Sequence, residues 1–309
     1  MLDLTNPIYT DENAAREHLE ALHWPDGPVC PRCNGKRVTK LEGKSTRPGV
    51  HKCKDCRKPF TVTVGTVFER SKIPLTKWLL ATQLLCSSKK GMSAHQLHRM
   101  LGVTYKTAWF MTHRIREAMV ETHEPNSGLG GANKVVEADE TFIGGKARNR
   151  AFAPPPKKHA VVALVEREGK VRSKHVANVD ARTLRNVLVT NIDRASYLMT
   201  DESPIYPKTG REFAGHGTVN HSADEYVRLG GFMHTNTAEN YFSILKRGIN
   251  GVYHHVSEAH LARYVAEFDF RYNNRAQLGV GDVERTAEAI KGARGKRLTY
   301  QQPREAANS

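Results

Sequence analysis

The sequence predicts a multidomain α/β protein. Two pairs of closely spaced cysteines stand near the start of the chain. Strand-like runs in the second half are followed by alternating helix and strand patterns, which is how a layered α/β domain reads. At 309 residues the chain is long for one domain. The boundaries expected are a zinc ribbon with an N-terminal helix over 1–72, a helix-turn-helix-like module over 73–122, a linker over 123–133, an α/β domain over 134–290 and a basic tail over 291–309.

Lys and Arg total 47 against 32 Asp and Glu, a formal charge of +15 spread along the whole chain. That balance favours a polyanionic partner, with nucleic acid the commonest. No apolar run approaches membrane length and the N-terminus has no signal pattern, so a cytoplasmic protein is expected.

Asp11 or Thr10 caps a first helix reaching residue 22. Cys30 and Cys33, then Cys53 and Cys56, have the four-cysteine zinc spacing: each C-x-x-C turn aims two thiolates at one ion. Such a closed site is structural. His51 is a spare donor, and Cys86 sits in an apolar run that reads as core. Helices are expected over 75–86, with Thr76 as cap, over 93–101 and over about 104–120, with a turn at Gly102 and Val103. The last two suggest a helix-turn-helix, although His98 stands where a small residue is usual; an ordinary three-helix bundle is the alternative. Tyr105, Lys106, Thr107, His113, Arg114 and Arg116 are expected to be exposed, and Tyr105, Lys106, Arg114 and Arg116 to contact DNA.

Residues 135–146 read V-V-E-A-D-E-T-F-I-G-G-K. Alternation puts Val136, Ala138 and Phe142 on one strand face and Glu137, Asp139 and Thr141 on the other, with Glu140 a polar intruder among the apolar residues. A carboxylate in mid-strand is unusual, because Asp is a poor strand residue. Further strands fit 159–166, 172–179, 196–203 and 216–221, and helices fit 181–192, 237–248 and 257–272. Asp201 ends a strand. Glu239 opens a helix on which Ser243 and Lys246 share its face. Asn236 with Glu239 also reads as a capping box, so Glu239 has a structural alternative.

Taken together, the cysteine pairs, E-A-D-E-T-F-I-G-G-K, T-D-E-S, T-V-N-H-S, H-T-N-T-A-E-N-Y-F-S-I-L-K-R-G and G-K-R-L-T-Y resemble an IS1595-type insertion-sequence transposase with an ISXO2-like DDE domain. The resemblance covers nearly the whole chain. It implies a ribonuclease-H-like catalytic domain and Mg2+ or Mn2+ held by Asp139, Asp201 and Glu239, with Lys246 as the basic residue of the last helix. Asn236 and Asn240 flank the third position. It also implies action on double-stranded transposon ends and target DNA, with copies of the chain assembling on DNA. Two other readings stay open: a ribonuclease-H-like nuclease that cuts without joining, and a DNA-binding regulator with an inactive catalytic domain.

Overall fold

A computed structural model describes residues 3–122, 127–144, 157–219 and 234–299. The chain divides into two units: residues 1–120 with 280–309, and residues 121–279. Among the described residues no helix is long and apolar enough to cross a membrane.

The first unit opens with α1 (Glu12–His23), whose N-terminal N–H groups at Asn13 and Ala14 donate to the Asp11 carboxylate. Strands β1 (Val38–Lys40), β2 (His51–Cys53) and β3 (Pro59–Phe60) form a small antiparallel sheet in that order. Three helices follow: α2 (Leu75–Ser87), α3 (Ala94–Leu101) and α4 (Tyr105–Met119). Ser93 caps α3, Thr104 caps α4, and Gly102 between them takes the left-handed conformation at φ +60°. Thr76 does not cap α2. The Glu12 carboxylate of α1 accepts the Leu75 and Thr76 N–H groups at 2.8 and 3.3 Å.

The C-terminal part differs from the expected boundaries. Helix α9 (Asp282–Lys291) was not anticipated, and it belongs to the first unit rather than to the α/β domain. It packs against α1, α2 and α4. Arg285 Nη1 donates to the Cys86 carbonyl at 2.9 Å, and Ala289 and Ile290 are buried. The segment after it is not loose as far as residue 299. Gly295 N donates to Gly65 O at 2.8 Å, and Lys296 Nζ donates to the Ala118 carbonyl at 3.1 Å.

This packing corrects the expected exposure of α4. Tyr105 and Lys106 are exposed, but His113, Arg114 and Arg116 are buried. Arg116 Nη1 donates to Thr112 Oγ1 at 3.1 Å, and Arg114 Nε donates to the Leu298 carbonyl at 3.2 Å. The face that a bare three-helix module would leave open is covered by α9 and the residues after it.

The second unit is a five-stranded sheet between two helical layers. Its strands are β4 (Val135–Ile143), β5 (His159–Glu166), β6 (Val171–Val176), β7 (Tyr197–Asp201) and β8 (Gly215–Val219), in the spatial order β6-β5-β4-β7-β8. β4 is central, antiparallel to β5 and parallel to β7; β5 and β6 are antiparallel, and β7 and β8 parallel. Helices α5 (Ala181–Asn191) and α6 (Tyr206–Gly210) cover one face, with Leu184, Leu188 and Tyr206 packed on Val136, Ala138 and Leu198. Helices α7 (Asn236–Gly248) and α8 (Glu258–Asn273) cover the other, with Phe242, Leu245 and Leu261 packed on Val161, Ala163 and Val165.

Residues 127–133 are not a free linker. Leu129 is buried and bridges Ile192, and Gly131 N donates to Ser196 Oγ at 2.8 Å. Phe142, expected on the apolar face, is 55% exposed: the core cluster on its face of β4 takes in Val136 and Ala138 but not Phe142, whereas Ile143 on the opposite face is buried.

Candidate active site

The four cysteines converge as their spacing requires. Cys30 and Cys33 precede β1, Cys53 ends β2 and Cys56 follows it. Each knuckle closes through a residue with positive φ, Asn34 at +56° and Arg57 at +59°. Asn tolerates that conformation well; Arg accepts it where the turn demands it. Cys30 Sγ lies 3.6 Å from Cys56 Sγ, and Cys33 Sγ 3.6 Å from Cys53 Sγ. Four Zn–S bonds of about 2.3 Å in a tetrahedron set sulfurs roughly 3.8 Å apart, so the cluster fits zinc. His51 is not a ligand. It is buried and packs on Trp24 and Phe60, with ring centroids at 5.2 and 5.8 Å.

The acidic site is built on β4. Its register with β7 pairs Val136 with Leu198 and Glu137 with Met199. Two residues further along, both strands reach a carboxylate: Asp139 on β4 and Asp201 at the end of β7. The β4–β7 pairing ends at Glu137 and Met199, so both carboxylates stand two residues beyond its last pair, on strands that neighbour each other about 4.8 Å apart where they pair. Asp139 pairs with Ala163 of β5, which belongs to the core under α7 and α8, so Asp139 lies on that face. Asp201 Oδ1 accepts the Ser203 N–H at 3.1 Å, which turns the chain after the strand.

Glu239 lies in the first turn of α7 and is exposed, as are Asn236, Asn240 and Lys246. The Thr235 hydroxyl donates to Glu239 Oε1 at 3.4 Å. Thr235, not Asn236, is the N-cap, and no side chain of the helix's own sequence accepts its first N–H groups, so the anticipated capping box is absent. Among the described residues, the donor groups that come within 4.8 Å of one another are the four cysteines and His159, His175 and Glu258. The Asp139, Asp201 and Glu239 carboxylates are not drawn together to that degree.

Sequence reasoning missed the residue that caps α7. Glu137 of β4 is fully buried. Its Oε2 accepts the Thr237 and Ala238 N–H groups at 2.8 and 3.0 Å, and its Oε1 accepts the Thr237 hydroxyl at 3.0 Å. Arg167 Nε donates to the same carboxylate at 2.6 Å, and Arg167 Nη2 donates to the His234 carbonyl at 2.8 Å. The His234 Nδ1 lies 3.1 Å from Glu137 Oε1. Negative charge suits a helix N-terminus. The consequence is positional: Glu137, two residues before Asp139, fastens the turn carrying Glu239 to the same strand. A Glu in mid-strand was the available signal, but its partners lie 30 and 100 positions away.

Glu140 faces the other layer, beside Tyr206 of α6. Burial pushes its carboxyl up to about 7; the Tyr206 hydroxyl acts in the opposite sense, and Asp201 and Asp139 add to the rise. Burial, then the Glu140 carboxylate, and after it Asp201 and Asp139, also raise the Tyr206 phenol. With a folded pKa above the unfolded value, the folded state holds its proton longer. Stability from this group is full below about 4.5, the ordinary value, and is lost as pH rises to about 7. Glu140→Gln is therefore expected to flatten the decline of stability across that window, as read by urea denaturation at stepped pH. An unchanged pH profile would remove Glu140 as its source.

A cysteine cluster of ribbon geometry together with an α/β unit carrying carboxylates on neighbouring strands is a constellation that comparison with known families resolves. Residues 129–273 match the family model described as ISXO2-like transposase domain, and residues 10–59 match the one described as transposase zinc-ribbon domain. The protein is thus a transposase by class. It belongs to the IS1595-type insertion-sequence transposases, with a DDE domain following a zinc ribbon.

An uncharacterized protein in the transposable element ISH50 of Halobacterium salinarum is 27% identical over 290 residues, 85% of this chain and 91% of that relative. Two solved structures, a Mos1 transposase paired-end complex with left transposon end and a pre-cleavage Mos1 transpososome, show 12% identity over 68% of this chain and 80% of theirs. Their TM-scores of 0.21 and 0.22 are too low for any residue to be transferred.

Proposed function

We propose that the protein binds the terminal inverted repeats of an insertion sequence, cleaves DNA there and joins the freed 3'-OH ends to target DNA by metal-dependent phosphoryl transfer. The observation that carries this reading is the meeting of Asp139 and Asp201 on neighbouring parallel strands of a sheet ordered β6-β5-β4-β7-β8. That order, with the central strand first in sequence and antiparallel to the second, supports a ribonuclease-H-like fold. Glu239, brought to the same strand by the Glu137 clamp, is the third ligand in this reading.

Hard divalent cations prefer carboxylate oxygens, so Asp139, Asp201 and Glu239 fit Mg2+ or Mn2+. Bound there, such ions would neutralise charge on the phosphodiester and activate the attacking oxygen. The protein's own groups bind and orient. Lys246, two helical turns after Glu239 and exposed, would hold a phosphate of the scissile strand. The four-cysteine cluster would hold structural zinc. Replacing Cys30 and Cys33 together is expected to remove its zinc ion and unfold the ribbon, because such sites contribute folding energy directly. Zinc content unchanged by that double replacement, measured by elemental analysis, would rule the assignment out.

DNA reading is assigned to the start of α4, where Tyr105 and Lys106 are exposed, and Tyr105 stacks on His95 with centroids 4.2 Å apart. Burial of Arg114 and Arg116 withdraws them from that surface. If Lys106 contacts a phosphate, Lys106→Ala weakens binding alike on all sequences and lowers the salt slope by about one. Binding unaffected by Lys106→Ala would move the reading surface elsewhere. The function itself is tested by incubating the chain with its flanking genomic ends and Mg2+ and mapping cut and joined strands. Cutting without joining would indicate a nuclease. Binding without cutting would indicate a regulator.

A further inference from the structure

A second set of ligating side chains converges away from the acidic site. His159 opens β5, His175 is the penultimate residue of β6, and Glu258 opens α8. The register pairs His159 with Ile143 and His175 with Val161. Ile143 and Val161 belong to the core under α8, so both imidazoles project on that face, toward the helix that brings Glu258.

One donor atom from each of the three residues lies within 4.8 Å of the others. His159 Nδ1 is 3.6 Å from Glu258 Oε2, and the two imidazole centroids are 5.8 Å apart, edge to face. His159 Nδ1 and His175 Nε2 are both buried without a hydrogen-bond partner. A buried polar atom left unpaired costs about 1–3 kcal/mol, and native structures keep few of them. Two such nitrogens around one point, with a carboxylate at its mouth, call for something between them.

We propose that His159, His175 and Glu258 form a second transition-metal site, of the zinc type, separate from the four cysteines and from the carboxylates of the active site. Two neutral imidazoles and one carboxylate are a ligand set zinc accepts, with a fourth position left to water. Imidazole also disfavours Mg2+, which separates this site from the all-carboxylate one. Zn–N bonds of about 2.0–2.1 Å set tetrahedral ligands roughly 3.4 Å apart, close to the observed His159–Glu258 spacing. The other donor separations within the set are at most 4.8 Å.

Among the described residues Lys157 also approaches Glu258: its Nζ lies 3.3 Å from Oε2 while its side chain is 73% exposed. An exposed ion pair of that kind is worth little, so an incoming cation displaces the ammonium readily. Asp139 is on the same sheet face, four residues along β4 from the partner of His159, roughly 13 Å away at the strand rise. The site therefore does not share ligands with the acidic pair. It would fasten the start of α8 to the β5–β6 edge.

The test uses the full chain equilibrated at buffered free zinc with excess Mg2+ present, followed by elemental analysis. The expected result is two zinc ions per chain in the wild type and one in His159→Ala/His175→Ala. Glu258→Gln/His175→Gln, which keeps side-chain volume, is expected to give the same loss with an unchanged far-ultraviolet circular dichroism spectrum. As a direct reading on the unaltered protein, Co2+ added to the chain with its cysteine cluster already filled by zinc should give visible d–d bands without thiolate charge transfer. One zinc per chain in the wild type, no such cobalt spectrum, or two zinc ions retained in both variants would overturn the site and leave a His–Glu ion-pair cluster.

Discussion

Asp139→Asn is expected to abolish strand cleavage while end binding stays nearly unchanged. Divalent ions bound there would supply several kcal/mol of charge stabilisation, and each 1.4 kcal/mol is a factor of ten, so the expected loss is roughly three orders of magnitude or more. Asp201→Asn should match it. The double variant should lose little beyond either single one, because residues that act as a unit are not additive. Glu239→Gln tests the third position separately. If that variant cleaves, the ligand moves to Asn236 or Asn240, the exposed neighbours in the same turn of α7. Single-turnover cleavage of a labelled end, with binding followed by gel shift, reads both quantities. An active Asp139→Asn protein would defeat the catalytic assignment.

Glu137→Ala is expected to destabilise the α/β unit by about 3–5 kcal/mol, the usual cost of removing one partner from a buried ion pair. The substitution strands the Arg167 guanidinium and frees the Thr237 and Ala238 N–H groups that Glu137 now accepts. The turn carrying Glu239 would lose its tether to β4. Glu137→Gln keeps an acceptor for the helix N-terminus but not the charge, so its loss should be smaller. Denaturant titration of the two variants checks the order. A Glu137→Ala protein as stable as wild type would mean that other contacts hold the α7 N-terminus.

Much of the fold was legible because its signals are local. Asp11, Ser93, Thr104 and Asp180 each accept an N–H from the first turn of the helix they precede. The C-x-x-C spacing encodes its own geometry, and β5 falls on the residues its apolar run marks. The strand face of Asp139 was also readable by alternation. What failed is non-local. Helix α9 returns to the first unit after the whole α/β unit, and no periodicity announces that return. The burial of Arg114 and Arg116 follows from it, since a basic residue on a helix reads as exposed until something packs over it. The cap of α2 comes from Glu12, 63 residues upstream of Leu75, and that of α7 from Glu137. A capping box was the natural local guess for α7, and tertiary structure supplied a better acceptor.

If Asp139, Asp201 and Glu239 hold divalent cations as one unit, Mn2+ binding to this chain, followed by electron paramagnetic resonance with Mg2+ as competitor, reads that unit without relying on catalysis. Wild type is expected to bind Mn2+ that Mg2+ displaces, and Asp139→Asn to lose that fraction while its circular dichroism spectrum is unchanged. Mg2+-displaceable Mn2+ bound equally by wild type and Asp139→Asn would contradict the account.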